Sequence, residues 1–385
     1  MESLHGPIRD YAWGSRTVLA ELQCRPAPSP GPEAELWLGA HPGAPAAVDR
    51  PGGPVPLPDL LAAESEHWLG ADVLARFGPR LPFLLKVLAP EKPLSLQAHP
   101  DPEQARAGYD AEEVAGAHHN YVDPYHKPEM LVALQPFEAL CGFRDPAVSA
   151  EALAGLGLAE LAPVVTALRR GVAGLADAVR LLLTWPADGR ADLVDAAVKA
   201  AGAAQGRADL VPRLAADYPG DPGVLLALLL NHVSLAPGEA IWMPAGNLHA
   251  YLRGCGVEIM AASDNVLRGG FTPKRVDVDE LLRVLRFEVL ADPVLRAVPV
   301  QPGVVTWPVP VDDFALYRIR LDGAAPVRLA PAGPRVVLST AGTLTAGDDD
   351  GAVPVPCGTG VLSRAGAGPV ELAGTGEAYL ATVGR

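Results

Sequence analysis

Apolar and polar positions alternate with a period of two along much of this chain, the repeat of β-strands whose two faces meet different surroundings. The clearest stretch is Pro93-Leu94-Ser95-Leu96-Gln97-Ala98-His99-Pro100, where Leu94 and Leu96 alternate with Ser95, Gln97 and His99. One face is apolar; the other lines up a hydroxyl, an amide and an imidazole. A strand with one solvated face has the same pattern, so its partners elsewhere must decide. Glu35-Leu36-Trp37-Leu38-Gly39-Ala40-His41-Pro42 repeats the theme, and residues 81–88 form an apolar run interrupted by Lys86. A buried strand follows from Glu129 through Met130-Leu131-Val132-Ala133-Leu134, with Lys127 and Glu129 on one face. A carboxylate at the start of such a strand must be paired, hydrogen-bonded or bound to metal.

Helical spacing predicts a helix over 59–69, with Asp59 as N-cap and Gly70 as stop, and another over 102–116, capped by Asp101 with Pro102 in its first turn. Between about 145 and 230 alternation gives way to helices over 148–158, 162–168, 172–183, 191–201 and 225–230. His232, at a helix end, reads as structural. Strand texture returns over 236–252, where His249 and Tyr251 share a face, and a turn at Gly254-Cys255-Gly256 brings Glu258 opposite it. Residues 263–275 read as a polar loop in which Arg268 and Lys274 are candidate anion clamps, and 276–287 as an amphipathic helix. Short strands then follow at 304–309, 314–321, 327–329, 335–339, 360–362 and 378–383. This is β-sandwich texture without histidine, with Asp348-Asp349-Asp350 a solvated turn, and its expected role is structural.

A chain of 385 residues, 49% hydrophobic, is expected to form two or three domains. Its net charge of −14 argues against nucleic acid or an anionic membrane as partner, but leaves room for a small anion held by local cations. The cysteines Cys24, Cys141, Cys255 and Cys357 are scattered, as in a reduced cytoplasmic protein. No signal-peptide pattern opens the chain, and the apolar run near 224–230 is too short to span a membrane.

Pooled, the polar positions of these strands suggest a metal site. Gln97, His99, Glu129 and His249 offer two imidazoles, a carboxylate and an amide oxygen, a donor set suited to zinc or another divalent ion. Bound there, the ion would keep Lewis acidity for a substrate oxygen.

Gly238, Pro244, Gly246 and His249 have the spacing of the second half of the cupin signature, with Arg253 where an asparagine usually closes it. The first half is altered: Gln97-Ala98-His99 stands for the usual histidine pair, and Glu129 lies well downstream. In this, and in Tyr11-Ala12-Trp13-Gly14, the 35–42 and 93–100 stretches, His126-Lys127-Pro128-Glu129 and the run 247–274, the chain resembles the type I mannose-6-phosphate isomerases over residues 1 to about 290.

The resemblance implies a mainly β fold with a helical insertion. A cupin-type jelly-roll catalytic domain would span 1–145 and 231–291, an α-helical domain 146–230, and a C-terminal jelly-roll-like β domain 292–385. It implies a monomeric, zinc-dependent enzyme interconverting mannose 6-phosphate and fructose 6-phosphate, with Gln97, His99, Glu129 and His249 as ligands and Arg268 essential beside the phosphosugar. Trp13, Glu35, Lys86, Ser95, Lys127, Tyr251, Glu258 and Lys274 would line the pocket. The reaction passes through a cis-enediol, which needs a base and stabilisation of an oxyanion. Glu258 is the preferred base, with Lys86, Lys127 and Asp264 as rivals. An iron-dependent cupin oxygenase and a non-catalytic sugar-binding cupin are the alternatives. The glutamine ligand and the clustered cations argue against the first, and the intact ligand set with Arg268 against the second.

Overall fold

The computed structural model describes residues 1–116, 120–202 and 209–384. Two antiparallel sheets face each other. The first runs, in spatial order, Val294–Leu295, Ala240–Met243, Glu129–Ala133, Gly256–Ala261, Phe83–Leu88, Glu35–Leu38 and Ile8–Arg9. The second runs Leu230–Leu235, Phe137–Phe143, His249–Arg253, Leu96–Ala98 and Leu267–Gly270. Leu131, Ile241 and Met243 of the first sheet pack against Phe137, Ala139, Val233 and Tyr251 of the second, closing one end of the sandwich with a small apolar core.

Alternation explains why these strands look so apolar in sequence. The outward residues of the first sheet, Leu36, Leu38, Leu85, Val87, Met130, Val132, Val257 and Ile259, join a core with Phe314, Leu316, Val336 and Leu338 of the C-terminal segment. The outward residues of the second, Leu96, Ala98, Leu140, Ala250, Leu252 and Leu267, are covered by the helices between 146 and 229. Both sheets are thus buried on both faces, and the positions left over for polar chemistry point between them.

The C-terminal strands build an eleven-stranded antiparallel sheet that takes in Glu2–His5, paired with Gly360–Ser363 on one side and Ala47–Val48 on the other. A hydrogen bond of 2.9 Å from His126 Nε2 to Asp313 ties this segment to the stretch carrying Lys127. No helix among the described residues is long and apolar enough to cross a membrane.

Several local expectations are corrected. The first long helical stretch is two helices, Leu57–Ala63 and Ser65–Phe77. The first starts before Asp59, because Pro58 in its opening turn already supplies the helical φ. Gly70 kinks the second with φ 78° rather than ending it. Residues 225–229 are helical, as the end of the helix Gly223–Leu226 and a 3-10 turn over Ala227–Leu229, but the strand Leu230–Leu235 follows at once, so His232 lies on a strand, against Glu138, and not at a helix end. The 276–287 helix shortens to Val278–Val284, capped by Asp277. Arg268 sits on the strand Leu267–Gly270, which the glycine-rich sequence disguised as loop. Asp348 is not merely solvated: it takes the N-terminal ammonium at 3.1 Å and the Ser363 hydroxyl at 2.6 Å. The helix over 102–116 holds as Pro102–Ala115, with a capping box between Asp101 and Gln104.

If the C-terminal sheet serves to cover the first sheet, damage there should cost stability rather than chemistry. Leu338→Ala, at a fully buried position in the shared core, is expected to lower unfolding free energy in urea by about 2–5 kcal/mol while leaving the metal content of the folded protein unchanged.

Candidate metal centre and active site

Three strands of the second sheet bring His249, Gln97 and Arg268 side by side, since Gln97 is the register partner of both. Gly246 N donates to His99 O at 2.8 Å, which fastens the Pro244-Ala245-Gly246 turn to the end of the Leu96–Ala98 strand. Gly246 has φ 77°, and a Cβ there would lie 2.7 Å from Arg286 Cγ, so this turn demands glycine. From the facing sheet Glu129 reaches across. Its carboxylate lies 3.4 Å from His99 Nε2, 3.3 Å from His249 Nε2 and 3.1 Å from Lys127 Nζ.

The two imidazoles are oriented alike. His99 Nδ1 is 2.7 Å from the Asn265 carbonyl and His249 Nδ1 is 2.9 Å from the Asn247 carbonyl. A carbonyl only accepts, so Nδ1 carries the proton in each ring and the Nε2 lone pair faces the cavity. Burial pushes the His99 imidazole down to about 4, against the pull of Glu129 and with the help of Lys127, so its contact with Glu129 is not an ion pair. Both Nε2 atoms and Glu129 Oε2 are buried without a hydrogen-bond partner. One ligand atom from each of these residues lies within 4.8 Å of the others, a set able to hold a metal ion. Buried lone pairs are costly to leave unmet, and a divalent cation of nitrogen and oxygen preference meets all three.

Beside this centre runs a row of charge. Register pairs Trp37 with Lys86 and Lys86 with Glu258 across neighbouring strands. Lys86 Nζ lies 3.4 Å from Glu258, 3.6 Å from Glu35 and 4.8 Å from the Trp37 ring centre. Trp37 Nε1 donates to Glu35, and the Tyr251 hydroxyl donates to Glu258 at 2.7 Å. Burial lowers the Lys86 affinity for its proton, but Glu35 and Glu258 more than offset this, and the ammonium is held charged well above its usual range. For Glu258, burial, reinforced by the charge of Glu129 and opposed by Lys86, pushes the carboxyl up to about 7. Asp264 moves the other way: burial would raise it, but His41, 3.0 Å away, holds it low.

These groups line one cavity of about 730 Å³. Glu35, Lys86, Gln97, Lys127, Glu129, Tyr251, Glu258 and Arg268 face it, as do Trp13, Ser95, Asp264 and Lys274, while His99 and His249 are buried next to Glu129. The structure thus brings every candidate residue into one site. It also adds residues that had not been picked out. Trp37 shares its strand face with Glu35, so the period of two could have found it. Asn265, fully buried, accepts from Val122 N and donates to the Asp123 and Tyr125 carbonyls, fixing the loop whose carbonyl holds His99. Tyr218 and Phe271, also in the cavity lining, carry no polar pattern that marks them.

Comparisons with known proteins agree with this geometry. Residues 1–146 match the family model of the phosphomannose isomerase type I catalytic domain. The chain is 39% identical over 323 residues to the mannose-6-phosphate isomerase of Escherichia coli (strain K12), covering 82% of each. It is 38% identical over 339 residues to that of Salmonella typhimurium, again covering 82% of each. Among solved structures it is similar over the full length of both chains to a mannose 6-phosphate isomerase bound with zinc and yttrium, with TM-score 0.90 and 32% identity.

Lys86 is the cation that makes two buried carboxylates tolerable. Lys86→Met is expected to cost about 3–5 kcal/mol of unfolding free energy near pH 8, where Glu258 is ionised. The loss should shrink toward pH 5 as Glu258 takes up a proton in the folded state; a pH-independent loss below about 1 kcal/mol would contradict the assignment.

Proposed function

The chain belongs to the type I phosphomannose isomerase family, and from that premise we propose that its cavity interconverts D-mannose 6-phosphate and D-fructose 6-phosphate with zinc as cofactor. The observation that carries this reading is the pairing, in one cavity, of an orphaned histidine–glutamate–histidine set with a carboxylate whose affinity for protons is raised to about 7. His99, Glu129 and His249 would hold the zinc ion, with Gln97 as fourth ligand beside them in the sheet register. When bound, zinc supplies fixed positive charge and Lewis acidity at the floor of the site.

The protein's own groups then divide the work. Glu258 acts as the base that moves a proton between C2 and C1 of the open chain, on one face of the cis-enediol. Its rivals fit less well: Lys86 is locked in its charged form, Lys127 is engaged by Glu129, and Asp264 is held low by His41. Tyr251, donating to Glu258, orients the carboxylate. The ammonium of Lys86 and the guanidinium of Arg268 meet the charge that develops on the enediol oxygens, in a site where dry surroundings strengthen such contacts. Lys274, exposed at the rim, takes the phosphate, with Trp13 and Ser95 shaping the passage between the two ends.

Within this reading the division proposed for the chain is a catalytic jelly roll over 1–145 and 231–291, a helical domain over 146–230 and a C-terminal β domain over 292–385. The enzyme is read as a monomer in the cytoplasm, a location that its four free cysteines support.

The test is an isomerase assay on mannose 6-phosphate, comparing wild type with Glu258→Gln. The variant should keep its zinc and lose a factor of about 10²–10⁴ in kcat, the usual share of a general base. Wild-type kcat/KM should fall as the medium becomes more acid than the Glu258 value, because only the carboxylate can accept the proton. That limb lies at or below about 7, since a cation on Glu129 cancels part of what raises Glu258. A zinc-loaded wild type without isomerase activity, or a Glu258→Gln enzyme at the wild-type rate, would contradict the proposal.

A further inference from the structure

The loop from Arg268 to Lys274 carries two of the cavity's cations, and its path is unusual. Gly270 has φ 147° and Phe271, which is not glycine, has φ 54°, in the left-handed region that side chains avoid. A backbone bent this way persists only where its surroundings impose it. Here they come from the helical segment. Gly223 and Gly270 meet backbone to backbone: a Cβ built on Gly270 would lie 2.9 Å from Gly223 Cα.

Asp221 sits at this crossing. Its Oδ1 accepts from Gly223 N at 2.7 Å, and its Oδ2 accepts from Thr272 N at 3.4 Å. One carboxylate therefore spans the helical segment and the far side of the strained turn. Burial raises the proton affinity of Asp221, and the amides of Gly223, Phe271 and Thr272 oppose that, so the backbone is its main compensation. Tyr218 adds a second grip. Its ring stacks on Phe271 at 5.4 Å, and its hydroxyl donates to the Pro93 carbonyl at 2.6 Å, at the head of the strand bearing Gln97. Thr272 passes the order on, since Lys274 N donates to its Oγ1 at 3.1 Å.

We infer that Asp221 is a positioning residue for the turn between Arg268 and Lys274, so that the helical segment sets how the cavity grips the phosphate of its substrate. Arg268 is anchored independently by its strand pairing with Gln97, whereas Lys274 lies beyond the turn and depends on it. The consequence is selective: disturbing Asp221 weakens substrate binding through Lys274 more than it slows the chemical step. The inference rests on the phosphosugar reading above.

The experiment uses the full-length zinc-loaded enzyme and the variants Asp221→Ala, Asp221→Asn, Lys274→Ala and the double variant Asp221→Ala with Lys274→Ala. Asp221→Ala should raise KM for mannose 6-phosphate about tenfold while changing kcat far less, the loss expected when charge-assisted hydrogen bonds are removed. Asp221→Asn, which keeps acceptor oxygen, should fall between it and wild type. In the Lys274→Ala background the Asp221→Ala effect on KM should vanish. Amide exchange over residues 270–275 should quicken in Asp221→Ala, and this readout needs no turnover. A wild-type KM in Asp221→Ala, effects that multiply independently in the double variant, or unchanged exchange would each overturn the inference. A wild-type enzyme that turns over no mannose 6-phosphate would instead overturn the function, with exchange still deciding whether Asp221 orders the turn.

Discussion

Everything in this molecule depends on keeping charge ionised between two sheets whose backbones are already paired. Glu129 is 2% exposed, and burial alone would drive it to take a proton. The Lys127 ammonium, 3.1 Å away, reverses that, and the Glu129 carboxyl is held well below the usual range. The same dry slot holds Lys86 charged and lifts Glu258. Two carboxylates in one cavity thus have opposite characters: one fixed as an anion suited to a metal, the other poised to exchange a proton near neutrality.

Such a slot can exist only if the rest of the fold buries enough apolar surface elsewhere. The helices cover one sheet and the C-terminal strands cover the other, so the strands around the cavity can set an apolar outer face against a polar, chemically active inner one. His126 and Asp313 join the C-terminal segment to the stretch holding Lys127, and Asp221 and Tyr218 join the helices to the turn holding Lys274. Both covering segments therefore reach the stretches that line the site.

Much of this is legible in the sequence where a strict period of two is at work. Gln97 and His99, Lys127 and Glu129, His249 and Tyr251 all share faces that alternation alone assigns, and the cupin-like spacing of Gly238, Pro244, Gly246 and His249 ties distant strands together. What stays hidden obeys other rules. Arg268 lies on a strand that two glycines make look like loop. Asp59 loses its capping role to a proline one residue before it. Asp221 sits between two helices as an ordinary polar residue, and only the tertiary contact of Gly223 with Gly270 gives it a purpose. The register that sets Gln97 between His249 and Arg268 is a property of chain pairing, invisible to any local pattern.

The central claim is that the orphaned atoms of His99, Glu129 and His249 hold the zinc on which isomerisation depends. The direct test is to strip the enzyme of metal, verify the removal by elemental analysis, and titrate zinc back while following mannose 6-phosphate isomerisation. Activity should be absent in the stripped enzyme and return in proportion to zinc, saturating at one ion per chain. Full activity in demonstrably metal-free protein would contradict the account.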